Sequence, residues 1–360
     1  MTGREDPAGC GRDFGSVAVR RSLPDRLMLG AWLLAATFCL AQLLLMRFGR
    51  DQGIYAVVAD AVVRGEMPYR DAWDFKPPGV FLVYAAARAL FGPAPWGVRA
   101  VDALGFASLV PIFAVLSRRF FADGRPGIVG ACAAIIVHAQ QEFWHTAQPE
   151  SFGAILTAVG LLLATTPLES SRIPWRAWAA WGASGFLFGA AGLMKPQLAG
   201  GALPAALFVV LTLRDRCVSR PRQVAATLAI AAGGLAAVGA CLGWFWACGA
   251  LGDLIDTLFV FVPGYAATTF RPDRIIQHIS EAASQWAVGA SWFLPLGLVL
   301  AAVLPGPGAQ PERGPARRGV VLILSVAAIH LLGIAIQAKF FAYHFDATLP
   351  LGAFLAGLGV

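Results

Sequence analysis

The chain has 360 residues, of which 58% are hydrophobic and 14% charged, and its mean hydropathy is +0.65. Soluble domains carry about 25% charged residues, so this composition excludes a water-soluble globule. The net charge of +7 would suit a nucleic-acid binder, but Arg4, Arg12, Arg20, Arg21 and Arg26 flank the first apolar run and the other charges lie between apolar runs, the pattern of membrane loops and not of a nucleic-acid face.

Stretches able to cross a bilayer need about 20 mostly apolar residues. They fall at roughly 27–47, 98–117, 127–141, 151–167, 177–194, 198–213, 223–247, 285–304, 319–337 and from 347 onward. The first run has no small-residue cleavage site and reads as an uncleaved anchor. The expected fold is therefore an all-α integral membrane protein of about ten transmembrane helices. A cytoplasmic tail spans 1–26 and a polytopic domain 27–360.

Orientation follows from Lys and Arg near span ends. With the N-terminus inside, the inner segments hold 17 of the 28 basic residues and eight of the 21 acids. Two outer loops are long, 48–97 and 248–284, and long loops in compact proteins tend to carry function. Within the first, the short apolar segment Gly79–Phe91 carries Arg88 and is expected to lie in the interface. The six cysteines are scattered without a C-x-x-C pair and read as small packing residues.

Candidate chemistry gathers on the outer side. The chain has 25 Arg but three Lys: Lys76, Lys195 and Lys339. All three are expected outside, as a shared site for an anionic ligand such as phosphate or as separate lysines snorkelling at helix ends. Asp51 follows the first span and is placed either as a general base at the membrane surface or as a solvated cap paired with Arg47 or Arg50. Asp74 lies in P-Y-R-D-A-W-D-F-K-P-P-G (68–79), where Pro77 and Pro78 hold the backbone extended. Glu150 opens the fourth span, as a site residue or as a dipole-stabilising N-terminal acid. Arg99 and Asp102, at i and i+3, are expected to form an ion pair on one helical face. His145 and His344 read as hydrogen-bonding groups. Asp71 and Asp74, or Asp51 followed by Gln52, make no convincing metal site, so no cofactor is expected and a divalent cation is unsupported. Nucleotide-binding and serine-hydrolase motifs are absent, which argues against an ATP-driven pump.

Taken together, D-x-G-x-Y at 51–55, the 68–79 run, Gly97-Val98-Arg99, Q-P-E at 148–150, G-L-M-K-P at 192–196 and F-F-x-Y-H at 340–344 resemble the GT-C superfamily of membrane glycosyltransferases. The likeness is to the branch of protein O-mannosyltransferases and lipid A aminoarabinose transferases, and the 51–79 loop is its most specific part. The resemblance implies transfer of a sugar, with inversion, from a polyprenyl-phosphate donor to a glycan, lipid or protein acceptor at the extracytoplasmic face, with interfacial helices in the first loop. It implies catalysis by Asp51, acceptor or sugar binding by Glu150, Asp74 and Tyr55, and phosphate binding by Lys76, Lys195, Lys339, Arg50 and His344. Gln52 stands where some relatives carry a second acid. The chain stops at Val360 inside an apparent span, where relatives continue, which leaves three readings open: a fragment with a missing C-terminal part, a short family member or a degenerate one. The Arg-, Ala- and Gly-rich composition suggests a bacterial inner membrane. The competing readings are a transporter or lipid flippase, which needs charges at mid-membrane, and a non-catalytic truncated homologue. Convergence of Asp51, Glu150, Lys76 and Lys339 on one cavity would separate enzyme from the rest.

Overall fold

The computed structural model describes residues 23–168, 173–268, 271–289, 313–338 and 340–359. Among them the chain is helical without a sheet; Pro68 and Ala72 form an isolated bridge. In chain order the helices are α1 (Leu23–Leu44), α2 (Arg50–Val63), α3 (Gly79–Phe91), α4 (Pro95–Phe121), α5 (Arg125–Gln140), α6 (Pro149–Ala164) and α7 (Trp175–Met194). After a 3₁₀ turn at Pro196–Gly201 come α8 (Ala202–Asp215), α9 (Arg220–Ala247), the broken helix 251–267, α10 (Ile275–Gly289), α11 (Arg313–Gln337) and α12 (Leu349–Ala356).

Among the described residues six segments are long and apolar enough to cross a membrane: Leu23–Leu44, Pro95–Phe121, Trp175–Met194, Pro196–Asp215, Arg220–Ala247 and Gly314–Gln337. They match six of the expected spans, with the first starting and ending a few residues earlier than expected. Helices α5 and α6 have 16 residues each. They rise about 24 Å, short of the roughly 30 Å hydrocarbon core. The expected span at 285–304 lies mostly outside the described residues. Leu27, Leu34 and Phe38 of α1 and Leu228 and Leu235 of α9 are exposed on the helix surfaces, as lipid-facing residues must be in a membrane bundle.

Among the described residues two large apolar cores stand out beside two small clusters. The larger runs through the bundle, where Phe106, Phe113, Ile135, Leu161, Phe188, Val326 and Phe354 pack together. The smaller docks the first loop onto one end of the bundle: Tyr55, Val58, Phe81 and Tyr84 from α2 and α3 meet Phe152, Met194 and Phe245. The 79–91 helix forms with the expected bounds and buries Val80, Phe81, Tyr84, Ala85 and Ala87. Helix α2 is a second helix within the loop expected at 48–97, and Asp51 stands in its first turn. The long segment 248–284 is likewise largely helical.

Helices α7 and α9 approach backbone to backbone. A Cβ on Gly185 would collide with the carbonyl of Ile230, and one on Gly233 with the carbonyl of Gly182. Without a hydrophobic drive between helices in lipid, small residues at such a seam allow the close packing that holds them together. Gly185→Val is expected to separate them and to cost about 1–3 kcal/mol, read as a lower melting temperature of the detergent-solubilised protein with more aggregate on size exclusion.

Candidate active site

The site is built around an irregular turn, residues 141–148, that joins α5 to α6. Its carbonyls point inward and require donors. Gln52, fully buried on α2, directs its Nε2 at the carbonyls of Phe143 (2.8 Å), Trp144 (3.0 Å) and Thr146 (2.8 Å). Its Oε1 accepts the N–H of Gly49 at 2.9 Å, which closes the start of α2. A carboxylate at position 52 would have no proton to offer those carbonyls, so glutamine suits this scaffold role. Tyr84 donates to the Ala147 carbonyl at 2.8 Å, and Tyr55 to Gln148 Oε1 at 3.1 Å.

Arg99 corrects an expectation. It is fully buried but does not pair with Asp102. Its guanidinium donates to the carbonyls of Arg47 (2.6 Å) and Phe143 (2.9 Å) and to the Thr146 hydroxyl. Asp102 turns instead to His138 and to the Ala147 N–H. Three turns that would otherwise be loose are thus held by hydrogen bonds to buried side chains: the end of α1, the start of α2 and the entry to α6.

This clamp presents Glu150, in the first turn of α6 and 1% exposed. Its carboxylate lies 2.8 Å from Lys195 Nζ and 3.8 Å from His344 Nε2. Lys195 ends α7, where Pro196 stops the helix and the backbone turns extended. His344 sits in the 3₁₀ segment Ala342–Ala347. Glu150 has the helix-start position that the dipole favours, but its carboxylate is held by side-chain cations.

Lys76 approaches from the first loop. Met67 N–H donates to Asp71 at 2.7 Å and Tyr69 donates its hydroxyl to the Lys76 carbonyl at 2.7 Å, which folds 67–76 into a compact hook. Asp71 therefore serves the turn. The Lys76 ammonium lies 5.6 Å from the Phe75 ring and 6.0 Å from the Tyr343 ring. Burial pushes it down to about 8, Lys195 adds to the drop, and Glu150, Asp51 and Asp74 oppose it. Asp74 is buried with Oδ2 lacking a hydrogen-bond partner. Burial raises its carboxyl above the ordinary range, against the pull of Lys76 and of the Phe75 and Lys76 backbone N–H groups. Asp51 completes the set. It is paired with the exposed Arg50 at 3.3 Å, and its charge is felt by Tyr55, Asp74, Lys76 and Tyr343.

Asp51, Tyr55, Asp74, Lys76, Glu150, Lys195 and His344 therefore converge at one end of the bundle, with Arg50 on the rim. Lys339 lies outside the described residues. His145 hydrogen-bonds the Gln141 carbonyl at 2.8 Å. Among the described residues no group of three His, Cys, Asp or Glu side chains is arranged to hold a metal ion. Tyr343, Gln148 and the buried partners Asp102, His138 and Asp346 were not anticipated as site residues; for Asp102 and His138 the signal is a polar residue inside an apolar run.

A model of the dolichyl-phosphate-mannose-protein mannosyltransferase family matches residues 75–244. No curated protein sequence matches the chain. Among solved structures, ArnT from Cupriavidus metallidurans bound to undecaprenyl phosphate aligns with a TM-score of 0.61 at 19% identity, covering 94% of this chain and 60% of that one. The oligosaccharyltransferase AglB from Archaeoglobus fulgidus, in complex with an inhibitory peptide and a dolichol-phosphate, aligns at 0.52 and 14% identity, covering 93% of this chain and 50% of that one. The chain thus spans 60% of the length of the ArnT structure. These matches carry the GT-C fold that the motifs led us to expect.

Removing one member of a buried ion pair strands the other charge, at about 3–5 kcal/mol, whereas removing both is far less costly. Lys195→Met is expected to destabilise the protein by that amount and Lys195→Met/Glu150→Gln to recover most of it, measured by thermal unfolding in detergent.

Proposed function

We propose that this multi-pass membrane protein, which has the fold of GT-C glycosyltransferases, transfers a sugar from a polyprenyl-phosphate donor to a hydroxyl or phosphate acceptor at the extracytoplasmic face, with inversion. The observation that carries this reading is the convergence of two acids, Asp51 and Glu150, with Lys76, Lys195 and His344 at one end of the bundle. Such a cluster suits a reaction in which negative charge develops on a leaving phosphate beside a proton acceptor.

In the proposed step, Asp51 accepts the proton of the acceptor hydroxyl as its oxygen bonds to the anomeric carbon. The bond from that carbon to the phosphate oxygen breaks, and its electron pair leaves with the polyprenyl phosphate. A single displacement inverts the anomeric centre. Lys76 and Lys195 stabilise the charge on the departing phosphate, with Arg50, His344 and Lys339 as further cations. Lys195 is already neutralised by Glu150, so the incoming phosphate competes with that carboxylate for it. Glu150, Asp74 and Tyr55 face the acceptor or the sugar; a protonated Asp74 donates where an ionised one only accepts. The apolar faces of α2 and α3 offer the polyprenyl chain a path from the bilayer. The charge asymmetry of the loops supports the outward orientation and a cytoplasmic N-terminus, and the composition supports a bacterial inner membrane.

Asp51→Asn is expected to lower transfer from a labelled polyprenyl-phosphate sugar at least about 100-fold, the lower end for loss of a general base. Equal transfer by both proteins removes Asp51 from catalysis. Lipid translocation that persists in Asp51→Asn, without transfer by either protein, favours the flippase reading.

The phosphate subsite also has a pH signature. Lys76 is charged below about 8 and neutral above it, while a phosphate monoester has lost its second proton by about pH 6–7. Polyprenyl-phosphate affinity should therefore hold up to neutral pH and weaken about tenfold between pH 7 and 9, one decade per unit past the midpoint. Lys76→Arg should flatten this profile, as measured by equilibrium binding of the lipid phosphate.

A further inference from the structure

Asp102, His138 and Asp346 form a second buried cluster that the proposed reaction does not use. None is more than 1% exposed. His138 Nε2 lies 2.9 Å from Asp102 Oδ2 and its Nδ1 lies 3.0 Å from Asp346 Oδ2. The Phe106 ring lies flat on the imidazole, with centroids 3.7 Å apart and planes 9° from parallel, which fixes the ring orientation. The outer oxygen of Asp346 accepts from Gln141 Nε2 at 2.5 Å, and Asp102 Oδ2 also accepts the Ala147 N–H at 3.1 Å.

This geometry links the protonation states of the three groups. A neutral imidazole has one N–H and one acceptor nitrogen, so it fits here only if one of the two acids keeps a proton and donates it to the ring. Two ionised carboxylates require both ring N–H groups, that is, an imidazolium, and this is the state we assign. Arg99, one helical turn before Asp102 and electrostatically coupled to it, supplies the second positive charge. Two acids and two cations then balance in a buried region, where an unpaired ion would be costly.

The two carboxylates belong to different parts of the site. Asp102 holds the amide of Ala147, three residues before Glu150, and Asp346 lies two residues after His344. We propose that His138 is a positioning residue: as an imidazolium it bridges the turn that presents Glu150 to the turn that presents Tyr343 and His344, and so sets the spacing of those groups across the site. Its kinetic consequence rests on the transferase reading; the bridge itself does not.

The test uses the full chain in lipid nanodiscs with ¹⁵N-labelled histidine. A ring with both nitrogens protonated at neutral pH should be present that vanishes in His138→Gln, whatever the state of His344. The same variant, far from His344 in sequence, should shift or broaden the His344 ring resonances. With a polyprenyl-phosphate sugar as substrate, His138→Gln and Asp346→Asn should bind the lipid phosphate within about threefold of wild type and lose about 10–100-fold in kcat, the scale of an ångström-level misplacement. If His138→Gln fails to fold, His138→Gln/Asp346→Asn, which leaves one carboxylate fewer to neutralise, takes its place. A single protonated ring nitrogen, an unmoved His344 signal, wild-type kcat in the folded variants, or kcat and binding lost together in proportion to unfolded protein each overturns the proposal. Absence of transfer by the wild type, with the imidazolium signal and the His344 response present, refutes the transferase reading and leaves the bridge standing.

Discussion

The arrangement depends on one constraint: the inward-facing carbonyls of residues 141–148, at one end of the bundle, must find hydrogen-bond partners inside the protein. Where backbone groups face the interior of a membrane bundle, protein groups have to satisfy them. The 141–148 turn meets this demand with side chains. Gln52 and Arg99 reach the carbonyls of Phe143, Trp144 and Thr146 or the Thr146 hydroxyl, Tyr84 reaches Ala147, and Gln148 Nε2 returns to Trp144 at 3.0 Å. Each donor comes from a different element, so satisfying one turn locks α2, α3 and α4 onto the entrance of α6. Glu150 follows that entrance by a single residue of helix, and its position is inherited from the clamp.

Charge is organised by the same logic. Burying an ion is tolerable when a partner and further hydrogen bonds accompany it. Glu150 has Lys195, with His344 and Lys76 nearby; Asp102 and Asp346 share His138, with Arg99 close behind. The two clusters lie side by side because α4, α5 and α6 run antiparallel and meet at the same end. The buried charges sit within about two turns of those helix ends and leave the middle of the bundle apolar. That distribution suits chemistry on a lipid phosphate at the surface better than passage of an ion through the middle.

Some of this was legible in the residues. The interfacial helix at 79–91 was readable from its length and Arg88, because a 13-residue apolar run is too short to span. The scarcity of lysine singled out Lys76 and Lys195, which feel each other's charge. The helix beginning at Arg50 was hidden: R-D-Q-G-I-Y starts with charges and carries a glycine, and its helicity comes from packing Tyr55, Val58 and Ala59 against α3. Arg99 and Asp102 misled for a related reason. Spacing of i and i+3 makes two side chains neighbours, but each found better-matched partners from another element, carbonyls for the guanidinium and an imidazole for the carboxylate.

The sequence by itself determined that the chain is a membrane protein, where six of its spans lie, and which segments between spans carry acids, lysines and rigid prolines, since hydropathy and charge placement are local and additive along the chain. Only the tertiary structure decided who pairs with whom: Glu150 with Lys195, Gln52 with the turn at 143–146, His138 with two acids that lie 36 and 208 residues from it. Such pairings are set by which donors and acceptors packing brings within about 3 Å of one another in a medium without water. No spacing along a single helix encodes that.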